Sequence, residues 1–169
     1  MDAAIVAAAR ALIELCRGKK LTLATAESCT GGLVAGALTD IPGSSDVLDR
    51  GFVTYSNAAK ETMLGVPAAT LARHGAVSKE TAEAMALGAL AHAPVDLAVS
   101  ITGIAGPGGA TPGKPVGLVH FAAAARGGKL VHAAKTYGDI GRTKVREASV
   151  VQALAMLHAL AEQQQAHSG

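Results

Sequence analysis

In several segments of this 169-residue chain, apolar residues recur three and four positions apart. Positions with this spacing fall on one face of a helix, so each such segment predicts a helix with one apolar face. Ser78 precedes one such segment and Pro94 follows it, which suits an N-cap and a stop. Gly18 is the expected stop of the first helix, and Asn57 is the expected cap of a later one. The pattern predicts helices over residues 3–17, 33–38, 57–64, a short stretch after Pro67, 79–93 and 142–165.

Short apolar runs lie between the helical segments and are bounded by Gly, Pro, Ser or Asp, which is typical of buried strands. Gly127 and Gly128 separate the last two runs and indicate a tight hairpin. The predicted strands cover residues 21–26, 49–56, 96–102, 117–125 and 129–137.

The order of these elements predicts the fold class. Strands that alternate with helices favour a parallel sheet covered on both faces, and the hairpin adds an antiparallel pair. We therefore expect an α/β fold, a three-layer α/β/α sandwich with a mixed, mostly parallel sheet that includes a C-terminal β-hairpin. The chain contains no repeat and no long linker, so residues 1–169 are predicted to form a single domain.

Composition narrows the possible classes of function. Half of the residues are hydrophobic and the net charge is +2, which is typical of a folded domain. Aromatic residues make up 2%, too few for base stacking, so no nucleic-acid partner is expected. Two cysteines and six scattered histidines predict neither a disulfide framework nor a metal site, and no cofactor is expected. The N-terminus lacks a signal or membrane segment, which predicts a cytoplasmic protein, and Ala-rich helix faces favour a homodimer.

The first candidate site is the turn that follows the first predicted strand. It reads Glu27-Ser28-Cys29-Thr30-Gly31-Gly32. A serine or cysteine on a strand-to-helix turn is well placed for nucleophilic catalysis, and the two glycines let amides approach a phosphate or an oxyanion. An ordinary capped turn explains the same residues, and the lipase-type GxSxG motif is absent.

A second candidate pair is Tyr55, at the end of a predicted strand, and Lys60, in the first turn of the next helix. Burial lowers the pKa of a lysine, which can then accept the proton of a serine. Their separation of five positions fits neither the SxxK nor the YxxxK motif. A solvated lysine and a tyrosine at the edge of the core explain the pattern as well.

Two further segments indicate an anionic ligand. The Gly-rich stretch 100–109 follows a strand and can cradle a phosphate with backbone amides. It lacks a Walker lysine and the GxGxxG spacing, so a flexible loop fits equally well. Arg142 and Arg146 lie one turn apart at the start of the last helix, where the helix dipole disfavours cations. Either these two arginines bind an anionic partner, or they are simply exposed to solvent.

Taken together, four segments resemble the CinA C-terminal domain family over roughly residues 5–162. They are Thr25-Ala-Glu-Ser-Cys-Thr-Gly-Gly32, Tyr55-Ser-Asn57 with Lys60, Gly75-Ala-Val-Ser78, and Ser100-Ile-Thr-Gly-Ile-Ala-Gly-Pro-Gly-Gly109. The resemblance implies hydrolysis of the carboxamide of nicotinamide mononucleotide to nicotinate mononucleotide and ammonia, in the recycling of NAD. Longer relatives have an additional N-terminal domain, so the length predicts the stand-alone amidase domain.

The resemblance also implies roles for single residues. Ser28 matches the family's nucleophile, Lys60 its base, and Tyr55 and Thr102 polar residues that assist in the same site. The residues implied to bind the substrate are Glu27, Cys29, Thr30, Gly31, Gly32, Asn57, Gly103, Gly106, Gly108, Arg142 and Arg146. In many relatives the arginine directly follows a Gly-Asp pair, whereas here residues 138–141 (Gly-Asp-Ile-Gly) stand before Arg142. This insertion leaves open whether Arg142 or Arg146 contacts the phosphate.

Two alternatives stay open at this stage. Cys29 is a possible nucleophile in place of Ser28, or a buried small apolar residue. The whole chain is also interpretable as a non-catalytic nucleotide-binding or partner module in competence or the DNA-damage response. Lys60 distinguishes an enzyme from a binding module, because an enzyme needs this lysine beside Ser28 and a binding module does not.

Overall fold

The computed structural model describes residues 1–168. Six α-helices and five strands follow one another in this part of the chain, with one short 3₁₀ turn (Ser44–Asp46) before the second strand. The helices are α1 (Ala3–Lys19), α2 (Leu33–Thr39), α3 (Asn57–Leu64), α4 (Ala68–His74), α5 (Lys79–His92) and α6 (Arg142–Glu162). The strands are β1 (Leu23–Glu27), β2 (Leu48–Val53), β3 (Leu97–Gly103), β4 (Leu118–Ala125) and β5 (Leu130–Thr136).

The five strands form one mixed sheet in the order β2-β1-β3-β4-β5. Strand β1 pairs in parallel with both β2 and β3, whereas β4 is antiparallel to β3 and to β5. Four of the five strands therefore run in one direction, and only β4 runs against them. This topology confirms the predicted α/β fold with a mixed sheet and a C-terminal hairpin.

Helices cover both faces of the sheet and make it a three-layer sandwich. One core cluster joins α1, α2 and α6 to one face, and a second joins α3, α4 and α5 to the other. Successive residues of β4 point to opposite faces of the sheet: Phe121 belongs to the first cluster and its neighbour Ala122 to the second. Small residues permit the close packing, since a β-carbon at Gly88 in α5 would overlap the Leu64 carbonyl at the end of α3.

Several element ends differ from the predicted ones. Helix α1 continues past Gly18 to Lys19, because Lys20 adopts the left-handed conformation (φ 58°) that ends the helix. Ser56, not Asn57, caps α3, and its Oγ accepts a hydrogen bond of 3.0 Å from the amide of Ala59. The predicted cap of α5 at Ser78 is confirmed, with its Oγ 3.1 Å from the amide of Thr81.

The second strand is shorter than predicted. It ends at Val53 rather than at residue 56, so Tyr55 lies in the connection to α3 and not at the strand end. Among the helices of residues 1–168, none combines the length and the apolar composition that crossing a membrane requires.

Candidate functional site

The residues with candidate chemistry meet at the edge of the sheet where β1 and β3 end. Parallel strands bring their carboxyl ends to one edge, where ligands bind in open α/β sheets. A cavity of about 320 Å³ opens there, within the size range of a small-molecule site. Its lining consists of Ser28, Cys29, Tyr55, Lys60, Ala76, Val77, Thr102, Gly103, Ile104, Ala105, Gly106, Gly108, Gly109 and Arg142.

Ser28 and Lys60 form a hydrogen-bonded pair in this cavity. Ser28 is the first residue after β1, and its backbone N–H donates to the Ile101 carbonyl of β3 at 2.9 Å, which fixes its position. Lys60 lies in the first turn of α3 and is 1% exposed. Its Nζ is 3.1 Å from Ser28 Oγ, 3.0 Å from the Thr54 carbonyl and 3.3 Å from the Tyr55 carbonyl.

The environment of Lys60 favours the neutral amine. Burial lowers its pKa, and a smaller influence from Cys29 acts in the opposite direction. No salt bridge among residues 1–168 includes Lys60, so no carboxylate compensates for the cost of burying its charge. A neutral amine has two N–H bonds, which the carbonyls of Thr54 and Tyr55 can accept. Its lone pair is then left for the hydroxyl of Ser28.

The lowered pKa of Lys60 predicts a particular pH dependence of stability. Between this lowered pKa and the ordinary pKa of the unfolded chain, the unfolded state binds more protons, so the free energy of unfolding rises with pH. Lys60→Met lacks this contribution. We expect the Tm of the wild type, minus that of Lys60→Met, to become more positive from about pH 7 to about pH 10. Thermal unfolding of both proteins across this range measures it; a difference independent of pH would contradict a lowered pKa.

Cys29 borders the cavity beside Ser28, but its surroundings do not activate it. Burial raises the pKa of its thiol to about 11, against smaller lowering effects from its own backbone N–H and from Arg146. The nucleophilic form of cysteine is the thiolate, which is scarce at neutral pH when the pKa is this high. The geometry and the electrostatics therefore favour Ser28 over Cys29 as the nucleophile.

Glu27 lies outside the cavity lining, so its predicted contact with the substrate stays a prediction. Its side chain is fully buried, and its carboxylate accepts four hydrogen bonds. The amides of Val34 and Ala35, in the first turn of α2, donate at 2.9 and 3.1 Å. The hydroxyls of Thr30 and Thr25 donate at 2.7 and 3.2 Å. Glu27 thus caps the start of α2 and holds the turn that follows Ser28.

The rest of this turn also lies behind the cavity rather than in it. Thr30 is fully buried, and the amide of Gly31 donates to the Ser28 carbonyl at 3.0 Å. Gly32 starts α2 with φ of 102°, a conformation that favours glycine. Asn57 is exposed as the first residue of α3. These four residues are outside the cavity lining, so their predicted contact with the substrate stays a prediction.

The two arginines of α6 have different positions. Arg142 borders the cavity, where its Nη1 donates to the Gly106 carbonyl at 2.8 Å and its Nη2 to the Tyr55 hydroxyl at 3.0 Å. Tyr55 is 62% exposed at the rim. Arg142 thus connects the α3 side of the rim to the Gly-rich loop and presents a positive charge there.

Arg146 points to the back of the Ser28 turn. Its guanidinium donates to the carbonyls of Cys29 and Thr30 at 3.0 and 3.4 Å. It lines a separate depression of about 270 Å³ between α1, α2 and α6. Arg142 is the member of the pair that borders the cavity, and the predicted contact of Arg146 with the substrate stays a prediction.

Thr102 and the Gly-rich loop form another side of the cavity. The Thr102 hydroxyl donates to the Ala76 carbonyl at 2.8 Å. Gly103, Gly106 and Gly108 line the cavity. A β-carbon at Gly103 would lie 2.7 Å from Val119, so glycine is required where β3 leaves the sheet. Within residues 1–168, no group of three or more His, Cys, Asp or Glu side chains could hold a metal ion.

The sequence assigned no role to Ala76 and Val77, which line the cavity next to Thr102. Their side chains have no reactive group, so residue type gives no signal of a site. The only indication was the motif Gly75-Ala-Val-Ser78, which carried part of the family resemblance without an assigned function.

The fold and the site together define a class: a three-layer α/β protein with a buried serine–lysine pair at the carboxyl ends of its parallel strands. The model of the CinA C-terminal domain matches residues 6–161, and the chain belongs to this family. The resemblance seen in the motifs is thereby confirmed.

Solved structures of relatives have the same fold. A competence/damage inducible protein, CihA, from Agrobacterium tumefaciens is 56% identical with a TM-score of 0.93, covering 95% of this chain and 97% of that one. A competence-damaged protein (CinA) superfamily protein from Klebsiella pneumoniae is 34% identical with a TM-score of 0.89, covering 95% of this chain and 99% of that one.

Longer relatives match as well. A CinA-like protein of Geobacter sulfurreducens is 51% identical over 147 residues, which are 87% of this chain and 35% of that protein. A competence-damage inducible protein of Symbiobacterium thermophilum is 53% identical over 146 residues, 81% of this chain and 34% of that protein. The chain thus spans about a third of the length of these curated relatives.

Proposed function

We propose that this protein hydrolyses the carboxamide of nicotinamide mononucleotide, with Ser28 as the nucleophile and Lys60 as the base. The observation that supports this most directly is the contact of 3.1 Å between Lys60 Nζ and Ser28 Oγ at the wall of a cavity. A buried lysine without a carboxylate partner is costly to a fold, and such perturbed groups cluster at functional sites. A chemical role accounts for keeping it there.

The reaction follows from the positions of these two groups. Neutral Lys60 takes the proton from Ser28 Oγ as the oxygen bonds to the carboxamide carbon, and the carbonyl oxygen becomes an oxyanion. When the C–N bond breaks, Lys60 returns the proton to the nitrogen, and ammonia leaves behind a serine ester. Water then attacks the ester carbon and gives its proton to Lys60, which passes it to Ser28 Oγ as the carboxylic acid is released.

Charge at the rim supports an anionic substrate. Arg142 is exposed, borders the cavity and holds the Gly106 carbonyl and the Tyr55 hydroxyl as its present acceptors. A phosphate accepts stronger hydrogen bonds from a guanidinium than neutral oxygens do. In our proposal Arg142 binds the phosphate of the mononucleotide while the nicotinamide end reaches Ser28.

The test is an assay of ammonia release from nicotinamide mononucleotide with the wild type, Lys60→Met and Lys135→Met. Lys135 is exposed on β5, outside the cavity, and controls for the loss of a lysine. We expect Lys60→Met to lower kcat by about 10²- to 10⁴-fold, because it removes the general base. Lys135→Met should keep wild-type turnover, since exposed substitutions of this kind have small effects.

Binding of the mononucleotide to Lys60→Met, measured by calorimetry, separates catalysis from binding. An enzyme loses turnover in this variant while it still binds the ligand. A wild-type protein that binds nicotinamide mononucleotide and releases no ammonia would contradict the proposed hydrolysis and leave the binding-module interpretation.

A further inference from the structure

Three consecutive carbonyls that precede Val77 are each held by a side chain. The His74 carbonyl accepts from Lys114 Nζ at 2.6 Å, and the Ala76 carbonyl accepts from Thr102 Oγ1 at 2.8 Å. Between them, the Gly75 carbonyl accepts from Thr81 Oγ1 at 2.7 Å and from Ser78 Oγ at 3.0 Å. Such a run of side-chain donors fixes the orientation of each peptide plane in the segment.

Fixing a carbonyl also fixes the neighbouring N–H. In a trans peptide the C=O of one residue and the N–H of the next point in opposite directions. The N–H groups of Ala76 and Val77 therefore point away from the side chains that hold the carbonyls of Gly75 and Ala76. Both residues line the cavity, and neither N–H is hydrogen bonded to another atom of residues 1–168.

The backbone at Gly75 shows what this orientation requires. Gly75 has φ of 78° and ψ of 171°, a combination that is essentially restricted to glycine. A β-carbon there would also lie 2.9 Å from Lys114 Nζ. The segment thus adopts an unusual backbone conformation directly before the two free amides.

Two amides of the turn that contains the nucleophile already have backbone acceptors. The N–H of Ser28 donates to Ile101, and that of Gly31 donates to the Ser28 carbonyl. The Gly106 carbonyl is held by Arg142, but the next residue is Pro107, which has no N–H to present. The Gly75–Val77 segment combines held carbonyls with N–H groups that have no acceptor, on two residues that line the cavity.

We propose that the backbone N–H groups of Ala76 and Val77 bind the carbonyl oxygen of the substrate and stabilise the oxyanion that forms on it, and that Thr102 is the positioning residue that aims the second of them. This inference rests on the proposed hydrolysis. It changes the role of Thr102, because its hydroxyl acts on the Ala76 carbonyl rather than on the reacting atoms. Oxyanion donors of this kind stabilise the transition state more than the ground state.

The first test compares Thr102→Val with Thr102→Ser in the ammonia-release assay. Val keeps the shape but cannot hold the Ala76 carbonyl, so we expect kcat to fall by about 10- to 100-fold with little change in KM. Ser keeps the hydroxyl and should restore most of kcat. Ser100→Ala is the matched control, because Ser100 Oγ also donates from β3 to a carbonyl, that of Ala82, outside the cavity lining.

The second test removes the N–H itself. Replacing Val77 by its α-hydroxy acid turns this amide into an ester with the same side chain, and we expect a loss in kcat of about 10²-fold. If Thr102 acts through this peptide, adding Thr102→Val to the ester protein should lower kcat little further than the ester alone does. The losses in kcat from the two changes are then not additive.

The outcomes are distinguishable from failure of the proposed function. Suppose that the wild type releases ammonia, Ser28→Ala is inactive and the ester protein is fully active. This result would overturn the role of Val77 but would not contradict the proposed hydrolysis. Additive losses, or a Thr102→Ser as impaired as Thr102→Val, would overturn the positioning role of Thr102. A wild type that releases no ammonia would overturn both proposals.

Discussion

Ser28→Ala is expected to lower the rate of ammonia release from nicotinamide mononucleotide by about 10³-fold or more, as other nucleophile deletions do. The reason is structural: Ser28 Oγ is the hydroxyl that lies 3.1 Å from the buried Lys60 Nζ. Without it, the lysine has no oxygen to deprotonate except that of water, and no ester intermediate forms. Steady-state kinetics on the purified variant, with unfolding measured in parallel, check this expectation.

Ser45→Ala is a suitable control for the loss of a hydroxyl, because Ser45 is exposed in the 3₁₀ turn before β2 and outside the cavity lining. It should retain wild-type kinetics. Near-wild-type turnover of Ser28→Ala would remove the serine from its assigned role. The thiol of Cys29, next to it in the same cavity, would then be the nucleophile to examine by adding Cys29→Ala.

The second large effect is expected on stability rather than on rate. Glu27→Ala should lower the free energy of unfolding by about 3 kcal/mol, because two amides of α2 and two threonine hydroxyls lose a buried acceptor. For a chain of this length that corresponds to a fall in Tm of roughly 6–12 °C. Urea unfolding monitored by circular dichroism measures the change.

Two variants calibrate this prediction. Glu27→Gln keeps one carbonyl acceptor but places an NH₂ group against backbone donors, so a loss of about half that size is expected. Glu14→Ala removes an exposed carboxylate from α1 and should change stability by no more than about 0.5 kcal/mol. Equal unfolding midpoints for Glu27→Ala and Glu14→Ala would contradict the capping role.

Much of the fold was predictable because its signals are local. Helical spacing identified the helices, short apolar runs identified the strands, and Gly127-Gly128 identified the hairpin. The element ends were less accurate, since they depend on which residue completes a cap. Gly18 was a reasonable stop for α1, but Lys20, two residues later, adopts the left-handed conformation that ends the helix. Asn57 was a reasonable cap for α3, but its neighbour Ser56 makes that hydrogen bond.

The site was predictable in its chemistry and less so in its supporting contacts. Ser28 and Lys60 followed from motifs, and the structure places them in contact. Glu27 and Arg146 were expected to bind the substrate because the family resemblance implied it. In the structure Glu27 accepts from two backbone amides and two threonine hydroxyls, and Arg146 donates to two carbonyls. Residue types alone do not show which groups fold back within reach. The same limit hid Ala76 and Val77, whose proposed contribution comes from the backbone alone.

The antiparallel direction of β4 has a practical consequence for handling the protein. Since β3 runs toward the cavity and β4 runs back, the β4–β5 hairpin ends at the opposite edge of the sheet. Gly127 and Gly128 are exposed there, while the preceding Arg126 must be kept because its guanidinium binds carbonyls at the end of α5. A short affinity tag or a fluorophore attachment site inserted between the two glycines should leave the cavity undisturbed, which makes this tip the place to immobilise or label the protein.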